Sequence, residues 1–201
     1  IGVPFSLVFL AALRGRRTLV WALVALVAVA IGVLVIFGLG RLASLLDTNA
    51  GTTFLRIQLW RSSLAMIVDH PILGVGLDNF LYAYRTMYVL PSAWAEFDLS
   101  HPHNFVLDFW LRLGIPGLVT ILWLLAACFR KAWLSLRSLG ENDVRLLILG
   151  LMAGMVSFVA HGLVDYAFFL VDLAFVFALM LALVQAAGFE KRDLLPDAGA
   201  F

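Results

Sequence analysis

The chain has 201 residues, 63% of them hydrophobic and 13% charged, with a formal net charge of +1. Soluble domains are about 45–50% apolar and about 25% charged, and a water-soluble globule of this size has too little interior to hide the excess. The composition excludes a soluble domain, a disordered chain and a polyanion-binding tail, and it predicts an all-α polytopic transmembrane bundle.

Charge-free stretches locate the spans. Residues 1–13 are apolar but too short for a crossing of about 20 residues. The first residue is Ile1, and no charged leader or cleavage site precedes the apolar start. Residues 1–201 are therefore expected to be one membrane domain, a fragment of a larger polytopic protein that begins inside a span. Residues 18–40 carry no charge, nor do 113–129, 146–164 and 173–189. The expectation is five crossings, the first incomplete. Cys128, the only cysteine, lies in an apolar run and cannot form an intrachain disulfide.

Between the second and third crossings lies a polar segment, residues 40–113, too long to be structureless inside a compact domain. Thr52 or Thr53 can cap a helix, and Ile57, Trp60, Leu64, Ile67 and Val68 follow at helical spacing. Asp69-His70-Pro71 ends that helix, because the residue before proline avoids the α region. Gly74-Val75-Gly76 predicts a turn or a close backbone approach. A short helix is expected over residues 79–88 and another from Pro102 towards Trp110. Gly114-Ile115-Pro116-Gly117 reads as the start of the next span, with proline in its first turn. Most Trp and Phe side chains are expected to face lipid.

Basic residues in short loops set orientation. Arg14, Arg16 and Arg17 form one cluster, Arg130, Lys131, Arg137 and Arg145 a second, and Lys191 and Arg192 a third. An alternating path puts all three on one side, the cytoplasmic one, and leaves residues 40–113 on the outer face. Five basic residues fall there instead: Arg41, Arg56, Arg61, Arg85 and Arg112.

The sharpest polar constellation is His101-Pro102-His103-Asn104. Histidines at i and i+2 can bind a metal, but no third ligand of a usual zinc set is nearby. They can also sit at the interface and cap a helix, or supply a base poised near neutral pH. The arginines likewise have two readings. Arginine at a membrane boundary snorkels and anchors, which suits Arg41 and Arg112 best. Its planar fork also suits phosphate oxygens, a reading that favours Arg56 and Arg61. His161 and Asp165, near the outer end of the fourth crossing, can face the same cavity or simply satisfy each other.

Arg56-Ile-Gln-Leu-Trp60, then Asp69-His70-Pro71-Ile-Leu-Gly74-Val-Gly76-Leu-Asp-Asn79-Phe80, then His103-Asn104, nine residues, Gly114 and Gly117, together resemble the O-antigen ligase and polymerase superfamily. His161-Gly-Leu-Val-Asp165-Tyr166 is similar to the family's closing motif. The resemblance covers roughly residues 50–170. It implies a glycosyltransferase C-like bundle in the bacterial inner membrane, acting on the periplasmic face. The implied reaction passes a glycan from undecaprenyl pyrophosphate to a hydroxyl on lipid A–core, another glycan or a protein. No nucleotide sugar, cofactor, metal or nucleic acid is implied. The family's catalytic histidine maps to His103 and its pyrophosphate-side arginine to Arg56. Arg61, Arg85, Asn104, His101 and Asp165 are expected around the substrate. The family's second arginine, in an S-R-G-like motif, has no counterpart in this chain, so the 201 residues alone are expected to be inactive. A transporter resembling bicarbonate-transporter relatives, or a non-catalytic export component, is the alternative. A transporter, however, would place polar groups at mid-membrane on broken helices.

Overall fold

The computed structural model describes residues 2–140 and 143–187, with the backbone alone for residue 39 and residues 41–46. Lys191 and Arg192 of the third basic cluster, and the Arg41 side chain, lie outside the described residues. The protein is all-α. In chain order it has α1 (Gly2–Arg14), α2 (Arg16–Leu46), α3 (Gly51–Asp69), α4 (Phe80–Ala83) running into a π turn (Tyr84–Tyr88), and a 3-10 segment (Pro91–Glu96). Then come α5 (Phe105–Ser138), α6 (Asp143–Gly162) and α7 (Val171–Ala187). Three helical stretches are long and apolar enough to cross a membrane: Arg16–Gly38, Phe105–Ser138 and Asp143–Gly162. α1 and α7 are apolar but shorter, with 13 and 17 residues. The described residues thus supply three full-length crossings where the sequence predicts four and a stub.

No residue of Arg16–Gly38 is buried against the rest of the protein. A helix that is apolar all round and has no buried face belongs in lipid. Arg14 and Arg145 line one cavity of about 1120 Å³ between α1, α2 and α6, which puts members of the first two basic clusters towards the same end, as the alternating path requires.

Two apolar cores position the polar segment. The larger joins α5, α6 and α7 through Phe105, Ile121, Leu125, Ile148, Met152, Phe168 and Met180. The smaller joins α3 to the short helices and the start of α5 through Leu59, Met66, Ile67, Phe80, Tyr84 and Leu111. Each fully buried side chain of this size contributes about 1.5–3 kcal/mol relative to exposure.

The helix boundaries follow the sequence with one exception. α3 ends at Asp69, before His70-Pro71. Its start, however, is not capped by Thr52 or Thr53. Ala50 is the N-cap, and both threonines lie inside the helix. Gly51, with φ 75°, lets the chain turn into the helix without a side-chain cap. α5 holds two expected helices end to end. Gly114 breaks it with φ 67° and ψ −165°, a region open to glycine alone. Helical pairing would join the Leu111 carbonyl to the Ile115 N–H. Instead the Ile115 N–H donates to the Ile72 carbonyl at 3.1 Å, and the Leu111 carbonyl accepts from the Val75 N–H at 2.7 Å. The Pro71–Gly76 turn is thereby spliced into the break. The fit is close: a Cβ on Gly114 would meet the Ile72 carbonyl oxygen at 1.9 Å, and one on Gly74 the Leu111 carbonyl oxygen at 2.3 Å.

Candidate active site

The His101–Asn104 turn leads into α5. Pro102 is fully buried, and its carbonyl accepts a bond from Trp60 Nε1 at 2.9 Å. His103 has φ 51°, a left-handed conformation that costs a non-glycine residue of order 1–3 kcal/mol. Its neighbours hold it there. Asn104 caps α5, its Oδ1 accepting from the Val106 and Leu107 N–H groups at 3.0 and 3.2 Å. Asn104 Nδ2 donates to the Leu163 carbonyl at 2.9 Å. Asn104 thus caps the helix and also ties the turn to the end of α6.

The strained backbone aims the His103 ring at Asp165: Nδ1 lies 3.0 Å from Asp165 Oδ1. Among the described residues Nε2 has no hydrogen-bond partner. His161, at 3.9 Å from Asp165 Oδ2, is the more distant neighbour. Both readings of His161 and Asp165 hold in part. The Asp165 N–H still bonds the His161 carbonyl at 3.0 Å and the side chains stay within 3.9 Å, but the closer partner of the carboxylate is His103, brought to it by the turn that Asn104 ties to Leu163. Burial alone would raise the Asp165 carboxyl. The Tyr166 N–H at 2.8 Å, the His103 ring and the charge of Arg56 together hold it below its ordinary value. His101 stacks on Tyr166, ring centroids 3.9 Å apart, and meets His103 edge-on at 4.3 Å. Burial, then the neighbouring His103 and Arg112, push His101 down to about 4.

Arg56, half-buried on α3, is close enough for its charge to act on Asp165. It has no hydrogen bond or ion pair among the described residues. Such a guanidinium keeps all five donors available for an oxyanion. Arg61 is exposed on the same helix. Arg85 is exposed and turned to Asp98 at 3.4 Å and to the Phe97 ring at 5.1 Å. No bond joins either residue to the histidines. His101, His103 and Asp165 thus form one contact group, with Asn104 fixing its turn and the charge of Arg56 acting on it, while Arg61 and Arg85 make no bond to it. No group of three or more His, Cys, Asp or Glu side chains among the described residues is arranged to hold a metal ion.

Two features went unread in the sequence. Arg112 does not snorkel to an interface. Its side chain is 4% exposed and is bound by Asp108 at 2.7 Å and Asp78 at 2.6 Å. The i, i+4 spacing of Asp108 and Arg112 is the signal that could have revealed the first pair. Nothing local points to Asp78, which the Gly74–Gly76 turn delivers. Trp60 and Trp110 donate to the Pro102 and Pro71 carbonyls at 2.9 and 2.8 Å, bonds that no local pattern announces.

The fold and the site define an all-α membrane protein with a histidine–carboxylate pair next to an uncommitted arginine. A family model described as O-antigen ligase matches residues 1–122, and the chain belongs to that family. No curated protein matches it. The family supports glycan transfer of the O-antigen ligase or polymerase kind, with a lipid-linked glycan and an acceptor as substrates in general terms. Asp165 and Tyr166 lie beyond the matched residues.

Proposed function

We propose that this chain carries the catalytic segment of an inverting, metal-independent transferase of the bacterial inner membrane. It would move a glycan from undecaprenyl pyrophosphate to an acceptor hydroxyl of lipid A–core, glycan or protein on the periplasmic face. Residues 40–113 form the extracytoplasmic part of one membrane domain with a glycosyltransferase C-like architecture, and the turn holding Asp165 closes its site. The observation that carries this reading is the His103–Asp165 pair, whose Nε2 has no hydrogen-bond partner among the described residues, within reach of the charge of Arg56.

With Nδ1–H donated to Asp165, His103 Nε2 is a proton acceptor. It takes the acceptor hydroxyl proton as that oxygen bonds to the anomeric carbon. The bond from that carbon to the pyrophosphate oxygen breaks, and its electron pair leaves with undecaprenyl pyrophosphate. Arg56 stabilises the negative charge that grows there. One displacement inverts the anomeric centre. Asp165 fixes the ring's orientation and tautomer, and Asn104 fixes the helix that carries it.

The test is glycan transfer by the full-length protein in membranes. His103→Ala is expected to lower turnover by about 10²–10⁴-fold, the range of a positioned base. Arg56→Ala is expected to lower it by about 10²–10³-fold, as loss of an oxyanion donor does. Both variants should reach the membrane at the normal level. Retained transfer by His103→Ala would sink the base assignment.

A further inference from the structure

We infer that Arg112 is the positioning residue of the site, a buried clamp that joins three separate turns and thereby sets where His103 stands. The inference rests on the transferase reading for its kinetic test, but the geometry stands by itself. The guanidinium is anchored on its own helix by Nε to Asp108 Oδ1 at 2.7 Å. One terminal nitrogen bonds Asp78 Oδ1 at 2.6 Å, in the turn spliced into the α5 break. The other lies 3.4 Å from the Ser100 carbonyl, immediately before His101, and 3.5 Å from the Tyr166 hydroxyl, beyond α6. The Phe169 ring covers the guanidinium, 4.7 Å from its carbon.

From each contact a short path leads to His103. Ser100 precedes the His101–His103 turn. Tyr166 donates its N–H to Asp165, which holds His103 Nδ1, and its ring stacks on His101, which abuts His103. Arg112 itself has no contact with His103, so it acts only through these groups. The requirement is for a fork. Five donors in one plane can serve Asp108, Asp78 and the Ser100–Tyr166 pair at once, whereas a lysine ammonium is a point charge on a flexible stem. Lysine would keep the charge that Asp108 needs and lose the joint between turns.

The experiment compares Arg112→Lys and Asp78→Asn with wild type in the full-length protein, reconstituted with a lipid-linked glycan donor. Arg112→Lys is expected to lower kcat by about 10²-fold, the cost of a displacement near 1 Å at a reacting group, with the donor KM unchanged. Asp78→Asn removes the charge of one arm at an exposed carboxylate while keeping an acceptor oxygen, and should lower kcat by a smaller factor in the same direction. A second readout needs no turnover. Diethyl pyrocarbonate modification of His103, followed by peptide mass spectrometry, should run faster in both variants. An unchanged kcat overturns the inference. So does a raised donor KM at constant kcat, which would make Arg112 a donor ligand. A loss of folded protein at constant specific activity, which would make its role purely structural, overturns it too, as does unchanged His103 labelling. Transfer retained by His103→Ala would remove the base role of His103 and leave the labelling result standing, so the two failures are distinguishable.

Discussion

Between Arg16 and Gly38, α2 buries no residue against its neighbours. The segment from α3 to the start of α5, by contrast, is held by bonds that reach far along the chain. Trp110 binds the carbonyl of Pro71, 39 residues away, and Trp60 that of Pro102, 42 residues away. In α2 the helix satisfies its own backbone and lipid accepts its side chains, so many apolar residues would serve at each position. In the polar segment the backbone leaves helical pairing at Gly114 and turns left-handed at His103, and particular groups compensate each departure. Identity matters little in the first region. In the second, single atoms decide.

The sharpest way to break this contrast is Gly114→Ala. The change forces a side chain into a glycine-only conformation and drives its Cβ into the Ile72 carbonyl at 1.9 Å. A destabilisation of more than about 3 kcal/mol is expected, from backbone strain plus the clash. Thermal unfolding in detergent would measure it, and a melting temperature unchanged from wild type would refute the splice as a structural joint.

Acid should act next, and on the same region. His101 is held near 4 against its ordinary 6.5, so the folded protein keeps it neutral while the unfolded chain takes up a proton. The His101 contribution to stability therefore falls as pH drops from about 6.5 towards 4. Asp165, held below its ordinary 3.8, extends the loss to lower pH, because its contribution disappears as the carboxylate protonates. A melting temperature that declines across this window relative to the His101→Asn variant, by about 2–4 °C for each kcal/mol of the difference, is the expected record. A pH profile identical in wild type and His101→Asn between pH 6.5 and 4 would show that His101 does not carry it.

The smallest effect belongs to α2. Val27 is 59% exposed on an apolar face, and Val27→Leu should change stability by less than about 0.5 kcal/mol and leave transfer unchanged. A loss approaching that of Gly114→Ala would mean that α2 packs specifically and that the contrast between the regions is false.

The sequence by itself determined what local chemistry controls. Charge-free runs long enough for lipid marked Arg16–Gly38 and the cores of α5 and α6. His70-Pro71 stopped α3, Gly74 and Gly76 announced a turn, and His103-Asn104 stood out at the mouth of a span. These signals survive without a fold because they depend on period, length and the conformational limits of single residues. Tertiary structure alone decided the partners. Asp165 could have had His161, four residues back, as its nearest partner, yet its closer partner is His103, 62 residues away, because the end of α6 is tied to the His101–Asn104 turn through Asn104 and Leu163. Arg112 read as a boundary anchor, yet it is buried between Asp108 and Asp78, because the turn spliced at Gly114 brings the second carboxylate to it. Hydrogen bonds and ion pairs between distant residues leave no period in the sequence, so which arginine stays free beside the histidine and which is used up as a clamp becomes visible only once the chain has folded.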